Sequence, residues 1–316
     1  MIPLTEPLQW GAESLWERLE PLLPGLSVEV VARSVSTNTA LLERARVRVE
    51  PATDELVQVR HSIESAAFGR RAADVQPCLL VAEQQTGGRG RLGRVWQSTA
   101  GASLTFSLSL PMNPADWSGL SLAVGVALAD ALDPNPAPGA PHIGLKWPND
   151  LWLMDTPPGD VDTDVPARRK LGGILIETVM AGSTRLAVVG VGLNVLPAQP
   201  TEDMASGYAC LQELGSATTA PAVLARVAEP LVKALLEFDA HGFAPFAKRF
   251  AARDLLRGRA ITTTQTNLPG GVARGVSATG TLLVQTDDGL REVSSGEVSV
   301  RLKGSATSAE EGPPSC

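Results

Sequence analysis

The chain has 316 residues, 44% of them hydrophobic, which is enough for one large domain with a small one beside it and excludes a disordered polymer. Its 34 Asp and Glu outnumber 27 Lys and Arg, a net charge of −7 that argues against general affinity for nucleic-acid backbone. Three widely spaced cysteines, Cys78, Cys210 and Cys316, form no C-x-x-C pair, so a disulfide framework or structural zinc site is not expected and a reducing cytoplasm fits best.

Residues 12 to 23 place Leu15, Trp16, Leu19 and Leu22 or Leu23 on one helical face, and Pro24-Gly25 ends the run. A strand from Val28 to Arg33 then delivers Ser36-Thr37-Asn38 to the start of a helix over Thr39 to Arg46, where Ser36 or Thr37 suits the N-cap. Residues 47 to 76 have mixed charge and no clean period, and read as a surface excursion with one helix near Ser62 to Arg70.

An apolar run from Cys78 to Ala82 leads into Gln85 and a turn with four glycines and three arginines, Gly87-Gly88-Arg89-Gly90-Arg91 and Gly93-Arg94, followed by Trp96. The alternating stretch from Ser103 to Leu110 is a second strand. Glycines let backbone N–H groups close around an anion, and arginines add fork-shaped donors for carboxylate or phosphate, so the loop reads as an anion clamp. Gly88 to Gly93 also matches G-x-G-x-x-G, but a dinucleotide fingerprint must open a helix and here a strand follows. A kinase glycine loop lacks its V-A-I-K, H-R-D and D-F-G companions, and a nucleic-acid patch or plain solvated loop remains as the alternative for so short a cluster.

Ser118 to Leu132 reads as a buried helix, too short for a membrane span and carrying Asp130. No export signal is expected at the N-terminus, which lacks a basic segment leading into an apolar stretch. In Ile143 to Trp152, Pro148 breaks a strand, and Lys146, Asn149 and Asp150 supply a cation, an amide and a carboxylate, either for a cleft or as an Asn-Asp turn beside a snorkelling lysine. Met154 to Arg169 is a Pro-, Gly- and Asp-rich hairpin loop without the EF-hand pattern. Lys170 enters the next strand, in which Gly172 and Gly173 permit close backbone approach, and its partner, Arg185 to Val191, ends in Gly190-Val-Gly192-Leu-Asn194. Helices follow at Ala222 to Phe238 and Phe243 to Leu256, then short strands with turns from Arg259 to Leu302, a small β-barrel-like domain, and a disordered tail.

In order, E-Q-Q-T-G-G-R-G-R-x-G-R-x-W, K-W-P-N-D-L, K-L-G-G-I-L-I-E and G-x-G-x-N-V resemble the biotin protein ligases over roughly Val28 to Leu302. The resemblance implies an α+β fold, a mixed β-sheet flanked by helices (biotin/lipoate ligase-like), followed by a small SH3-like β-barrel. The expected divisions are a helical extension over 1–27, a catalytic domain over 28–257, the small domain over 258–303 and the tail over 304–316. The stretch before Val28 is shorter than the DNA-binding N-terminal domain of the family's repressor members, so no DNA partner is expected, nor, from the apolar stretches, a membrane.

The resemblance also implies roles. Ser36, Thr37, Asn38 and Gln85 would hold the biotin head group, with Gly88, Arg89, Gly90, Arg91, Lys170 and Gly173 completing that site. Arg89, Arg91 and Lys170 would be catalytic at the reacting carboxylate and phosphate; Arg94, Trp96, Lys146, Asn149, Asp150, Asn194 and Tyr208 would face the nucleotide. Asp150 would meet Mg²⁺ through the nucleotide. The implied substrates are ATP and biotin, with Mg²⁺ as cofactor and a biotin carboxyl carrier protein as partner; a homodimer is left open. The alternatives are a non-catalytic biotin-binding regulator and a lipoate-type acyl ligase of the same fold, which lacks the G-R-G-R loop.

Overall fold

The computed structural model describes residues 8–46, 66–68, 75–137, 139–154, 168–198, 207–215, 218–296 and 298–303. The expectations for the 154–169 loop, most of the 47–76 excursion and the tail after 303 fall outside them. In chain order come α1 (Ala12–Leu19), β1 (Ser27–Ser34), α2 (Thr37–Arg46), β2 (Ala66–Phe68), β3 (Cys78–Gln85), β4 (Gly88–Arg89), β5 (Val95–Trp96), β6 (Ser103–Pro111) and α3 (Leu120–Leu132). The hairpins β7 (His142–Lys146) with β8 (Asp150–Met154) and β9 (Arg169–Ala181) with β10 (Thr184–Asn194) follow, then α4 (Ala220–His241) and α5 (Ala247–Ala251). The C-terminal part holds β11 (Ala260–Gln265), β12 (Leu268–Val276), β13 (Leu282–Thr286), β14 (Gly289–Val293) and β15 (Val300–Leu302).

The large sheet has the order β2-β1-β3-β6-β10-β9-β8-β7. Only β1 and β3 pair in parallel within it, the other neighbours being antiparallel. Period-two alternation divides its faces. In β6, Leu104, Phe106, Leu108 and Leu110 enter the main core, which includes residues of α3 and α4, while Ser103, Thr105, Ser107 and Ser109 are buried on the other face. That second face carries α2, whose Leu41 and Leu42 pack with Cys78, Leu80 and Val188. A stripe of buried hydroxyls beneath a helix N-terminus is costly unless it is hydrogen-bonded, so this face is where a polar site can be built.

The five-stranded antiparallel sheet β14-β13-β12-β11-β15 is joined to the rest without a gap in the core, since Ile261, Leu282 and Val284 belong to the same buried cluster as α3. Trp147 Nε1 donates to Gly280 O at 3.1 Å, and Gly119 and Gly280 let backbone meet backbone there, a Cβ on Gly280 falling 2.6 Å from Gly119 Cα. Trp147-Pro148, between β7 and β8, is a cis peptide.

Two expectations are corrected. Within 62–70 the described residues form not a helix but β2, paired antiparallel with β1 (Val28 opposite Phe68, Val30 opposite Ala66), because the open edge of β1 offers ladder partners that local propensity does not reveal. The helix expected over Phe243 to Leu256 keeps only a 3-10 turn at Ala244–Phe246 and α5. Beyond it the backbone extends along β7, with Leu145 N donating to Arg253 O at 2.7 Å and Leu255 N to Leu145 O at 3.0 Å. Covering that sheet edge is one reason; the other is Arg253, whose buried guanidinium meets Asp130 at 3.1 Å and Asp133 at 3.2 Å.

Asp254, in this covering segment, is buried with Oδ1 accepting from Leu256 N at 2.9 Å and Oδ2 unpartnered. Burial raises its carboxyl to about 6. A folded-state value above the unfolded one, about 3.9, means the folded protein binds the proton more tightly, so stability falls as pH rises from about 4 to about 6 and stays lower above. Asp254→Asn is therefore expected to raise stability at pH 7 to 8 by roughly 1–3 kcal/mol and to lose that advantage near pH 4, as read from urea midpoints.

Candidate active site

The polar face of the sheet holds a continuous hydrogen-bonded chain at the start of α2. Ser36 caps that helix, its Oγ accepting from Thr39 N at 3.4 Å, so the capping role and a place in the site are combined in one triplet. Gln85 Oε1 accepts from Thr37 N at 2.7 Å, Thr37 Oγ1 lies 2.6 Å from Ser107 Oγ, and Ser107 donates to Asn38 Oδ1 at 2.6 Å. Asn38 Nδ2 then donates to Leu175 O at 3.1 Å and Glu177 Oε2 at 2.9 Å. Proton arithmetic fixes the direction: the Asn38 carbonyl can only accept, so Ser107 donates to it, and Thr37 must donate to Ser107. The glycines of β10 make room for this. A Cβ at Gly190 would lie 2.2 Å from Asn38 Oδ1, and one at Gly192 would lie 2.5 Å from the Trp96 ring.

The basic loop folds back over this pocket as the two-stranded β4–β5 ribbon, closed by Gly90 N donating to Arg94 O at 2.7 Å. Gly88 is required by proximity, because a Cβ there would stand 2.4 Å from Trp96 O. The three arginines of this loop reach different partners. Arg89 is paired with Glu177 at 2.8 Å and donates through Nε to Thr39 Oγ1 at 3.1 Å. Arg91 reaches Asn149 Oδ1 at 3.5 Å and donates to the carbonyls of Ser295 and Gly296, in the turn between β14 and β15. Arg94 donates to Ser299 Oγ at 3.0 Å.

A second cluster lies where β7, β8 and β9 meet. Lys170 Nζ is 2.7 Å from Asp150 Oδ1, and a Cβ on Gly173 would be 3.6 Å from both, so the lysine head sits beside Gly173, two residues along β9 from the Leu175 carbonyl that holds Asn38. Lys146 lies over Trp152, 5.4 Å from the ring centre. Burial pushes the Asp150 carboxyl up, but Lys170 and Lys146 outweigh it and hold the group below the ordinary carboxylate range. Burial lowers the Lys146 ammonium, Asp150 opposing and Lys170, Arg94 and Arg301 adding to the effect. So many cations around one carboxylate make a cleft suited to phosphate oxygens.

Three expected residues serve the frame. Asn149 Nδ2 donates to Ile174 O at 2.8 Å, and Asn194 Nδ2 donates to Lys170 O at 3.2 Å and Ala209 O at 2.9 Å, pinning the backbone around Lys170. Tyr208 bridges Lys170 through its backbone while its hydroxyl donates to Leu196 O at 2.7 Å, and burial pushes that phenol up to about 12. Sequence reasoning missed Ser107, Glu177, Thr39, Ser295, Gly296 and Ser299; the Ser/Thr face of β6 was the available signal for Ser107. Among the described residues no three His, Cys, Asp or Glu gather to form a metal cage. A lone cleft carboxylate fits a magnesium ion held mainly by nucleotide phosphates and water. Gly190→Ala is expected to displace Asn38 and break the Ser107 bond, lowering stability by about 1–3 kcal/mol in urea denaturation.

Residues 71–194 match the Biotin/lipoate A/B protein ligase family and residues 258–301 the Biotin protein ligase C terminal domain. The chain is 30% identical over 297 residues to the Mycobacterium tuberculosis protein named Biotin--[acetyl-CoA-carboxylase] ligase, covering 91% of each. It is 34% identical over 226 residues to the Bifunctional ligase/repressor BirA of Salmonella typhimurium, covering 70% of this chain and 66% of that one, so it spans about two thirds of the bifunctional relative's length. In structure it is similar to the biotin protein ligase from Aquifex aeolicus solved with biotin and ATP, with a TM-score of 0.64, 25% identity and coverage of 87% of this chain and 99% of that one. With a neutral hydrogen-bonding pocket running into a cationic cleft, and with matches across both sheets, the chain belongs to the biotin protein ligase family.

Proposed function

We propose that this protein activates biotin with ATP and transfers it to a lysine of a biotin carboxyl carrier protein. The observation that carries the reading is adjacency: the Gln85–Thr37–Ser107–Asn38 chain of neutral donors and acceptors is anchored on the Leu175 carbonyl, and two positions back along the same strand, roughly 7 Å of backbone, the Lys170 ammonium sits beside Gly173. Biotin combines a neutral ureido ring with a carboxylate at the end of a short chain, which asks for such a pocket followed by such a charge.

In the first step a biotin carboxylate oxygen attacks the α-phosphorus of ATP, the bond to the bridging oxygen breaks and pyrophosphate leaves. Two anions must meet, so Lys170 and Arg91 stabilise the shared charge while Lys146 and Arg94 receive the phosphates. Asp150 is the residue that would help hold a magnesium ion brought by the nucleotide, and such an ion would supply further charge neutralisation. The basic loop and Trp96 then exclude water from the mixed anhydride. In the second step the acceptor's lysine amine attacks the acyl carbon, an amide forms and AMP leaves. Neither described cysteine, Cys78 or Cys210, is in a disulfide, in keeping with the reducing cytoplasm where we place this reaction.

ATP–pyrophosphate exchange with biotin, with lipoate and with neither acid tests the reading. Exchange requiring biotin is expected; exchange with lipoate alone would overturn the substrate, and exchange with neither would overturn the activation step. Lys170→Ala is expected to lower the biotin-dependent rate by about 10²–10³ with an unchanged circular dichroism spectrum.

A further inference from the structure

Glu177 lies in the middle of β9, the reaction steps above assign it no part, and its Oε2 receives two donors from different elements. Asn38 Nδ2, from the start of α2, donates at 2.9 Å, and Arg89 Nη2, from the basic loop, at 2.8 Å. The Arg89 side chain is 43% exposed and Glu177 27%, so the pair sits at the rim of the pocket, half open to solvent. A long side chain at such a rim gains little from an isolated ion pair, because solvent screens the attraction and ordering costs rotamer freedom. Arg89 is held by more than one pair: Nε also donates to Thr39 Oγ1 at 3.1 Å, one residue after Asn38. The guanidinium is therefore clipped across α2 and β9 by two planar N–H groups, which fixes its orientation as well as its position.

Resting on the biotin-ligase reading, we infer that Glu177 is a positioning residue that couples occupancy of the head-group pocket to closure of the basic loop. Its carboxylate is bonded both to a pocket amide and to a loop arginine. Movement of Asn38 toward a bound ring withdraws a donor from the carboxylate that Arg89 also uses, and release of Arg89 leaves that acceptor to Asn38 alone. Asn38 keeps Leu175 O and Ser107 whichever way Glu177 moves, so the pocket does not collapse without it. What is lost is the link.

Glu177→Gln separates the two contacts. The amide oxygen still accepts from Asn38, but the charge that holds Arg89 is gone. In biotin-dependent pyrophosphate exchange, E177Q is expected to raise the KM for biotin about tenfold, more than it lowers kcat, with an unchanged melting temperature. In an Arg89→Ala background the same change is expected to alter KM by no more than about twofold, since its effect passes through Arg89. A wild-type KM in E177Q, or effects of R89A and E177Q that multiply, would overturn the coupling. Should E177Q fold poorly, Glu177→Asp, which keeps the charge but withdraws it by one methylene, reads the same cycle. Absence of biotin-dependent exchange in the wild-type protein would instead overturn the parent reading, so the two failures are distinguishable.

Discussion

The hydrogen-bonded chain from Gln85 through Thr37, Ser107 and Asn38 to Glu177 is the constraint around which the site is arranged. Thr37, Asn38 and Ser107 are each almost wholly withdrawn from water, and a buried polar group without a partner costs on the order of 1–3 kcal/mol. Each therefore dictates its neighbour. The helix start must lie against β6 at Ser107, β10 must offer glycine at 190, and Gln85 must leave β3 facing α2. A satisfied network of this kind rigidifies a pocket before any ligand enters, which is the condition for binding a neutral ring by direction and not by charge.

The small C-terminal sheet is part of the same device. Trp147 and Gly280 seat it against the start of α3, and Ser295, Gly296 and Ser299 supply acceptors to Arg91 and Arg94. Carbonyls and a hydroxyl are weaker partners for a guanidinium than a carboxylate or phosphate, so these arginines are held near the cleft without being neutralised there. Arg301 of β15 adds to the positive field around Lys146. The cationic cleft is thus walled by both sheets, and its cations are mutually repelling groups kept together by the fold.

Much of the scaffold could be read from pattern. The alternation of Ser103 to Leu110, the Pro148 break and the hairpin after Lys170 all became strands where periodicity placed them, because each is dominated by side-chain burial on one or two faces. What failed was edge pairing. Neither β2 nor the 253–255 segment has a local signature; both are extended because another strand presents unpaired backbone, a fact about distant residues. Phe243, Phe246 and Phe250 of the expected helix are all buried, but the helix ends before Arg253, which turns to Asp130 and Asp133.

The sequence by itself determined the chemistry: a neutral polar triplet, a glycine-arginine loop, Lys146 and Lys170, and strands to carry them. These follow from residue type and short-range spacing, which local sterics and period-two burial make legible. Only the tertiary structure decided the partners. That Arg89 goes to Glu177, Arg91 to Gly296, Arg94 to Ser299, and Asn194 to the backbone of Lys170 depends on contacts between residues 24 to 205 positions apart. A guanidinium is drawn to whichever acceptor the packing brings within reach, and no local pattern in the chain encodes that choice.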